Sequence, residues 1–175
     1  MDMIKYDLIV FAGAPGSGKT TISELLQKGF DSPLIDFGNI RIFHLDREWK
    51  KANSKEEKMS FENLVFIIKN YIKNGYKNVI VNDLKDDKVL RLAKIFTRRK
   101  IAIISLIVED EELKKRIMNP QRDSGFRDVN RALESNRMLK QRKPLSNELR
   151  IDNTHNDPQK TVRDILKYLE QGLEE

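Results

Sequence analysis

Hydrophobic and polar positions follow two rhythms along this chain, and the rhythm switches regularly from one segment to the next. Residues 8 to 12, Leu8-Ile9-Val10-Phe11-Ala12, form a continuous apolar run, the mark of a strand buried on both faces, as parallel sheets produce. From Lys19 the pattern turns helical through Ile22, Leu25 and Leu26 and stops at Gly29. Pro33 to Gly38 predicts a short second strand. Ser54 with Glu57 three residues on has the form of a capping box, so the next helix starts there or at Ser60. Phe61, Leu64, Val65, Ile68, Tyr71 and Ile72 fall on one helical face, closed by Gly75.

The second half repeats the alternation. Asn78 to Asp83 predicts a strand with an acidic end, Val89, Leu92, Ala93 and Phe96 mark a helix, and Ile101 to Val108 is the longest buried-strand candidate. Glu111 to Met118 reads as helical up to the Asn119-Pro120 break. A polar, arginine-bearing loop with Gly125 covers residues 119 to 127. Asp128 can cap a helix to about Arg142, a strand runs from Glu148 to Asp152, and a last helix has Asp157 as cap and Pro158 in its first turn. Strands alternating with helices imply right-handed parallel crossovers and a doubly wound α/β sheet. Ligands of such sheets bind beyond the carboxyl ends of the strands. The informative positions are therefore residues 13 to 20, Asp36 to Arg41, Asn82-Asp83 and the loop at 153 to 157.

The first of these carries a motif. Gly13, Ala14, Pro15, Gly16, Ser17, Gly18, Lys19 and Thr20 fit G-x-x-x-x-G-K-[ST] between a predicted strand and a predicted helix. In that setting the glycines let backbone N–H groups turn inward on an anion, Lys19 reaches the outer phosphates, and the Thr20 hydroxyl can ligate Mg²⁺. The helix start adds its positive end. A plain strand-to-helix turn with a solvated lysine would need neither that spacing nor that context.

Phosphoryl transfer otherwise requires positioning and charge neutralisation, with a carboxylate to orient or deprotonate the acceptor hydroxyl. Asp36 is the candidate acceptor base, against a simple helix-capping role. Asp83 is a candidate for holding Mg²⁺ or a metal-bound water, against a turn aspartate. Arg116, Arg122, Arg127 and Arg131 lie within sixteen residues, in a stretch able to fold over a nucleotide. Arg116 and Arg122 are the phosphate-gripping candidates, set against a solvated basic face that includes Lys114, Lys115 and Arg137. His44, between Phe43 and Leu45, reads as structural.

Composition narrows the picture. At 175 residues a single domain, 1–175, is expected, and no apolar run approaches the roughly 20 residues of a membrane span. No signal-peptide pattern precedes the first strand, so a cytoplasmic location is expected. Without cysteine, and with only His44 and His155 as histidines, thiolate and zinc sites are excluded, leaving oxygen-bound Mg²⁺ as the expected metal. The net charge of +6 would suit a nucleic-acid surface. The lack of any block of five like charges, the 7% aromatic content and the absence of a nucleic-acid motif favour a solvated exterior with arginines gathered around phosphates.

Taken together, these residues resemble the small P-loop kinases, a family that includes adenylate, shikimate and gluconate kinases and chloramphenicol phosphotransferase. The loop Gly13 to Thr20 with Thr21 is similar to their Walker A turn. Leu113-Lys114-Lys115-Arg116-Ile117 followed by Arg122 resembles their lid entry, and Ile151-Asp152-Asn153-Thr154 with Pro158 their final strand, adenine-flanking loop and helix. The resemblance implies a three-layer α/β/α P-loop NTPase fold with a five-stranded parallel sheet of order 2-3-1-4-5 and a small helical lid at about 119–130. It implies ATP and Mg²⁺ as cofactors, Arg116 near adenine, Arg122 on phosphate, Asp83 in the place of an acidic strand-3 residue, and a small-molecule acceptor bound by about 39–75. Many relatives carry an Asp-x-x-Arg or Asp-Asp-x-Arg stretch after strand 2. Here Arg41 matches, while Gly38 and Asn39 stand where the acid is expected. Either Asp36 replaces it from upstream, or acceptor chemistry is weak or absent. The expected activity is an ATP-dependent phosphotransferase; the alternatives are a regulatory nucleotide-binding ATPase and a polynucleotide or RNA kinase.

Overall fold

In the computed structural model, which describes residues 4–43, 53–121, 124–155 and 157–172, strands and helices alternate as the periodicity requires. His44 and Arg122 lie outside the described residues. The order is β1 (Leu8–Gly13), α1 (Lys19–Phe30), β2 (Leu34–Asp36), α2 (Phe37–Ile42), α3 (Ser54–Lys73), β3 (Val79–Asn82), α4 (Asp86–Ile95), β4 (Ile101–Ile107), α5 (Asp110–Met118), α6 (Val129–Gln141), β5 (Glu148–Asp152) and α7 (Pro158–Gln171). All pairings are parallel and the sheet order is β2-β3-β1-β4-β5. Among the described residues no helix is long and apolar enough to cross a membrane.

Why β1 is apolar at every position follows from the two layers it separates. Successive side chains of a strand point to opposite faces. Leu8, Val10 and Ala12 join Phe61, Leu64 and Ile68 of α3 and Val89 and Leu92 of α4 on one face. Ile9 and Phe11 join Ile22 and Leu26 of α1 and Ile165 and Leu169 of α7 on the other. A third, smaller cluster packs Ala14 of the glycine loop against Leu113 and Ile117 of α5 and Ala132 of α6. The loop thus rests on a hydrophobic floor of its own.

Two boundaries and one cap differ from the sequence reading. The strand predicted to Gly38 ends at Asp36, because the Asp36 side chain accepts a hydrogen bond from the Asn39 N–H at 3.3 Å and starts α2 at Phe37. Helix α3 starts at Ser54, the first of the two expected starts, and only its cap differs: the Asn53 side chain accepts from the N–H groups of Lys55 and Glu56, so the capping-box pattern is one residue out of phase. Helix α1 runs past Gly29 and closes on Asp31 in a left-handed conformation at φ 51°. There the short polar side chain of aspartate tolerates what Gly usually supplies.

Parallel strands bring all the carboxyl ends to one edge. The register Asp36↔Asn82 places the end of β2 beside the end of β3, and Gly13↔Leu106 places the glycine loop beside β4. Away from this edge, a buried ionic cluster ties β5 to its neighbours. Glu148, its side chain fully buried, accepts from both terminal nitrogens of Arg142, from Arg150 Nε, from Ser105 Oγ at 2.7 Å and from the Leu145 N–H. Although burial opposes ionisation, these donors win and hold the Glu148 carboxyl at about 2.

Candidate active site

The glycine loop is shaped by contacts that only glycine permits. A Cβ on Gly13 (φ 146°) would stand 2.5 Å from Ser17 Oγ and 2.7 Å from the Leu106 carbonyl oxygen. At Gly18 (φ 100°) it would meet Asn153 Nδ2 at 2.7 Å. Lys19 curls back over the loop, donating from Nζ to the carbonyls of Gly13 at 2.8 Å and Ala14 at 3.0 Å. Its charge is therefore parked at the mouth of the loop. Ser17 is fully buried, and its N–H donates to the Ala14 carbonyl, closing the turn.

A bracket of side chains holds the loop from behind. Asn153, buried just past β5, donates from Nδ2 to the Ser17 carbonyl at 2.8 Å and accepts from the Thr161 hydroxyl at 2.7 Å. Arg116 Nη2 donates to the carbonyls of Asn153 and Thr154, while its Nε donates to Glu112. Arg116, assigned from the sequence to the nucleotide, thus braces the loop at 153–154 and ties α5 to it. Asn153 itself was not singled out in the sequence. Its signals were its place beyond a predicted strand end and within the stretch 151–154 that resembles an adenine-flanking loop, neither of which points to the Ser17 carbonyl.

On the other side of the loop, Asn82, buried at the end of β3, donates from Nδ2 to Thr20 Oγ1 at 3.5 Å and to Ser23 Oγ at 3.3 Å. The next residue, Asp83, adopts a left-handed backbone at φ 59°. That turn aims its carboxylate at Asp36. A Cβ on the buried Gly38 would lie 2.9 Å from Asp36 Oδ1 and 2.9 Å from Asp83 Oδ2, so the two carboxylates face each other across a gap kept open by glycine. Asp83 keeps contact with the open cleft. Burial against the cleft wall raises the affinity of its carboxyl for a proton, the Asp36 carboxylate raises it further, and Lys19 and Arg41 pull the other way.

Two close carboxylates repel unless a cation joins them. Lys19 is one such cation. Mg²⁺ is a second that fits: the donors here are all oxygens, Thr20 Oγ1, Asp36 and Asp83, and Mg²⁺ usually takes one or two carboxylates together with substrate phosphates. Among the described residues no group of three or more His, Asp or Glu forms a complete metal cage. The donor set suits an ion that arrives with its nucleotide.

Arg41, assigned to the acceptor, is almost buried and forms an ion pair with Glu57 of α3, which also binds Lys88 at 3.3 Å. Its guanidinium lies 6.0 Å from the Phe37 ring centre. Burial lowers its pKa, the carboxylates of Glu57 and Asp83 counter this, and Arg131 of α6 adds repulsion from across the cleft. Arg41 thus acts on Asp83 of the acidic pair, with Arg131 close enough to Arg41 to be felt by it. Thr21, at the start of α1, is exposed, as are Arg127 and Arg131 on the lid side.

A glycine loop between β1 and α1, with a lysine and a threonine at its end and acids on the neighbouring strand ends, defines a P-loop nucleotide-binding protein. The chain belongs to the AAA domain family, whose model matches residues 9–138. No curated protein matches the sequence. Among solved structures, the chain is similar to a sugar kinase from Janibacter sp. HTCC2649 (TM-score 0.69, 17% identity, 93% of this chain and 94% of that one). It is also similar to a gluconokinase from Sinorhizobium meliloti 1021 (TM-score 0.67, 17% identity, 93% and 91%) and to shikimate kinase from Aquifex aeolicus (TM-score 0.63, 18% identity, 95% and 98%). The fold is that of the small P-loop kinases over nearly its whole length.

Proposed function

We propose that this protein is a kinase that transfers the γ-phosphoryl group of ATP, with Mg²⁺, to a hydroxyl of a small-molecule acceptor. The observation that carries this reading is the facing of Asp36 and Asp83 around Gly38 at the carboxyl edge of the sheet, with Lys19 acting electrostatically on Asp83. A pure nucleotide-binding module needs the loop and its lysine. It has no need for two facing carboxylates held apart beside them.

In this reading the backbone N–H groups of residues 13 to 20 hold the β- and γ-phosphates, and Lys19 leaves the carbonyls of Gly13 and Ala14 to follow the γ-phosphoryl group. Thr20 and Asp83 would hold Mg²⁺, which supplies neutralisation of phosphate charge when bound. The acceptor hydroxyl lies against Asp36. As its oxygen forms the new O–P bond, the bond from the γ-phosphorus to the bridging oxygen breaks, ADP leaves with the electron pair, and the hydroxyl proton passes to Asp36. Arg41 and Arg131 face the acceptor, and the segment at about 119–130 closes over the donor as a lid, with Arg122 on phosphate.

The test is transfer of label from γ-labelled ATP to pools of nucleosides, nucleotides, sugars and amino alcohols. Asp36→Asn should lower kcat by about 100-fold or more, as expected for loss of a general base, while ATP still protects the protein against heat. Clear ATP binding with no transfer to any pool would refute the kinase reading and favour a regulatory ATPase. One observation points toward that alternative: Asp36 Oδ1 is already engaged as the cap of α2.

A further inference from the structure

We propose that the basic concavity between the C-terminal ends of α3 and α4 binds a nucleic-acid strand through its phosphates. The cavity holds about 480 Å³ and is rimmed by Lys69, Lys73, Arg98 and Arg99, with Ile72 and Ile95 contributing an apolar floor. No carboxylate lines it. It lies where β3 and β4 begin, at the edge of the sheet opposite the glycine loop, so a strand bound here leaves the nucleotide site open.

The gathering of four cations around one cavity without a carboxylate singles this region out. Some cations elsewhere are matched, Arg41 with Glu57, Lys77 with Asp7, Arg116 with Glu112, and Arg142 and Arg150 with Glu148. Lys28, Lys143, Arg163 and Lys167 have no ion pair among the described residues but stand on other surface helices and loops rather than around this cavity. Lys69, Lys73 and Arg98 have no ion pair among the described residues, and Arg99 meets only the longer-range field of Asp7, whose carboxylate already binds Lys77 at 2.6 Å. Part of the chain's surplus of +6 is therefore concentrated on one concave surface. A cation in the last turn of a helix is ordinarily explained by the helix dipole. That accounts for Lys73, but Arg98 and Arg99 lie beyond the end of α4 and Lys69 lies a turn inside α3.

The arrangement fits repeated phosphates better than a single anion or a flat surface. Four cations from α3 and the turn after α4 line the cavity, two of them guanidiniums that can grip phosphate in a bidentate manner. The half-exposed Ile95 beside Ile72 offers contact for a sugar or base face. Concavity disfavours a bilayer. No run of like charges announces the site in the sequence, because residues 69–73 and 98–99 meet only in the fold.

Fluorescence anisotropy with a labelled single strand of about 12 nucleotides, as RNA and as DNA, tests this on the full chain. With four phosphate contacts the dependence of log Kd on log salt should have a slope of about 3, or about 50-fold weaker binding between about 50 and 200 mM salt. The combined variant Lys69→Gln, Lys73→Gln, Arg98→Gln, Arg99→Gln should lose most of that slope and at least about tenfold in affinity. Its thermal protection by ATP should be unchanged, which also verifies that it folds. A control with the same charge loss on other exposed positions, Lys28→Gln, Lys143→Gln, Arg163→Gln, Lys167→Gln, should bind like the parent. Equal losses in both variants, or none in the first, would overturn the proposal. So would competition by polyglutamate as effective as by RNA, saturation of the pocket by inorganic phosphate or AMP with the affinity of the oligonucleotide, or no oligonucleotide binding at all.

Discussion

Gly38→Ala separates the proposed chemistry from stability more cleanly than any charge change. The added methyl would stand 2.9 Å from Asp36 Oδ1 and 2.9 Å from Asp83 Oδ2, whereas ordinary contact begins near 3.4 Å, so both carboxylates must retreat. Both obstructing atoms are ends of side chains, so the fold can accommodate the methyl. Moving Asp36 weakens its cap on α2, a loss of about 1 kcal/mol at most. Alanine in place of a helical glycine returns roughly 0.5–1 kcal/mol. The two nearly cancel, and the melting temperature should stay within a few degrees of the parent. Catalysis has no such compensation, because misplacing reactive groups by a fraction of an ångström to an ångström can cost about 100-fold. Thermal melts with and without ATP·Mg²⁺, beside steady-state ADP release with the identified acceptor, measure both quantities. A variant with parental stability and parental kcat would refute the argument that the acidic pair around Gly38 forms the reactive geometry.

Lys19→Ala should remove protection by ATP in thermal unfolding, since the loop then lacks the one side chain placed to follow the outer phosphates; protection equal to the parent's would sink the assignment. Asn153→Ala leaves the Ser17 carbonyl and the Thr161 hydroxyl without their partner and should cost about 1–3 kcal/mol by chemical denaturation, together with weaker ATP binding. Glu148 has a folded pKa of about 2 against an ordinary 4.5, so it stabilises the fold by about 3 kcal/mol above pH 4.5, and this is lost as pH falls from there toward 2. Glu148→Gln should flatten the acid limb of a stability-versus-pH curve and destabilise the neutral protein by about 3–5 kcal/mol, because Arg142 and Arg150 lose their buried counter-charge. An unchanged acid limb would show that other groups govern acid unfolding.

Local chemistry accounts for how much could be read in advance. The strands are apolar because they are buried on both faces, so β1 and β4 are visible as runs, and the helices show their faces through Phe61, Leu64 and Ile68 or Val89 and Leu92. The glycine loop is legible because its glycines are required by contacts within a few residues, such as Gly13 against Ser17. A boundary slipped at Asp36, whose side chain caps the next helix, and a cap shifted by one residue at Asn53. The sheet order was implied by family resemblance, and the pairing register confirms it.

The sequence by itself determined the alternating α/β architecture and the P-loop, since both arise from short-range periodicity and from backbone conformations only glycine adopts freely. Tertiary structure alone decided what surrounds that loop. Asp36, Gly38 and Asp83 are separated by up to dozens of residues and meet because β2 and β3 lie side by side in register. Asn153 reaches Ser17 across 136 positions of chain, and the basic concavity unites the ends of two helices. Such meetings leave no periodic trace, because they depend on which strand ends and helix ends share an edge of the sheet.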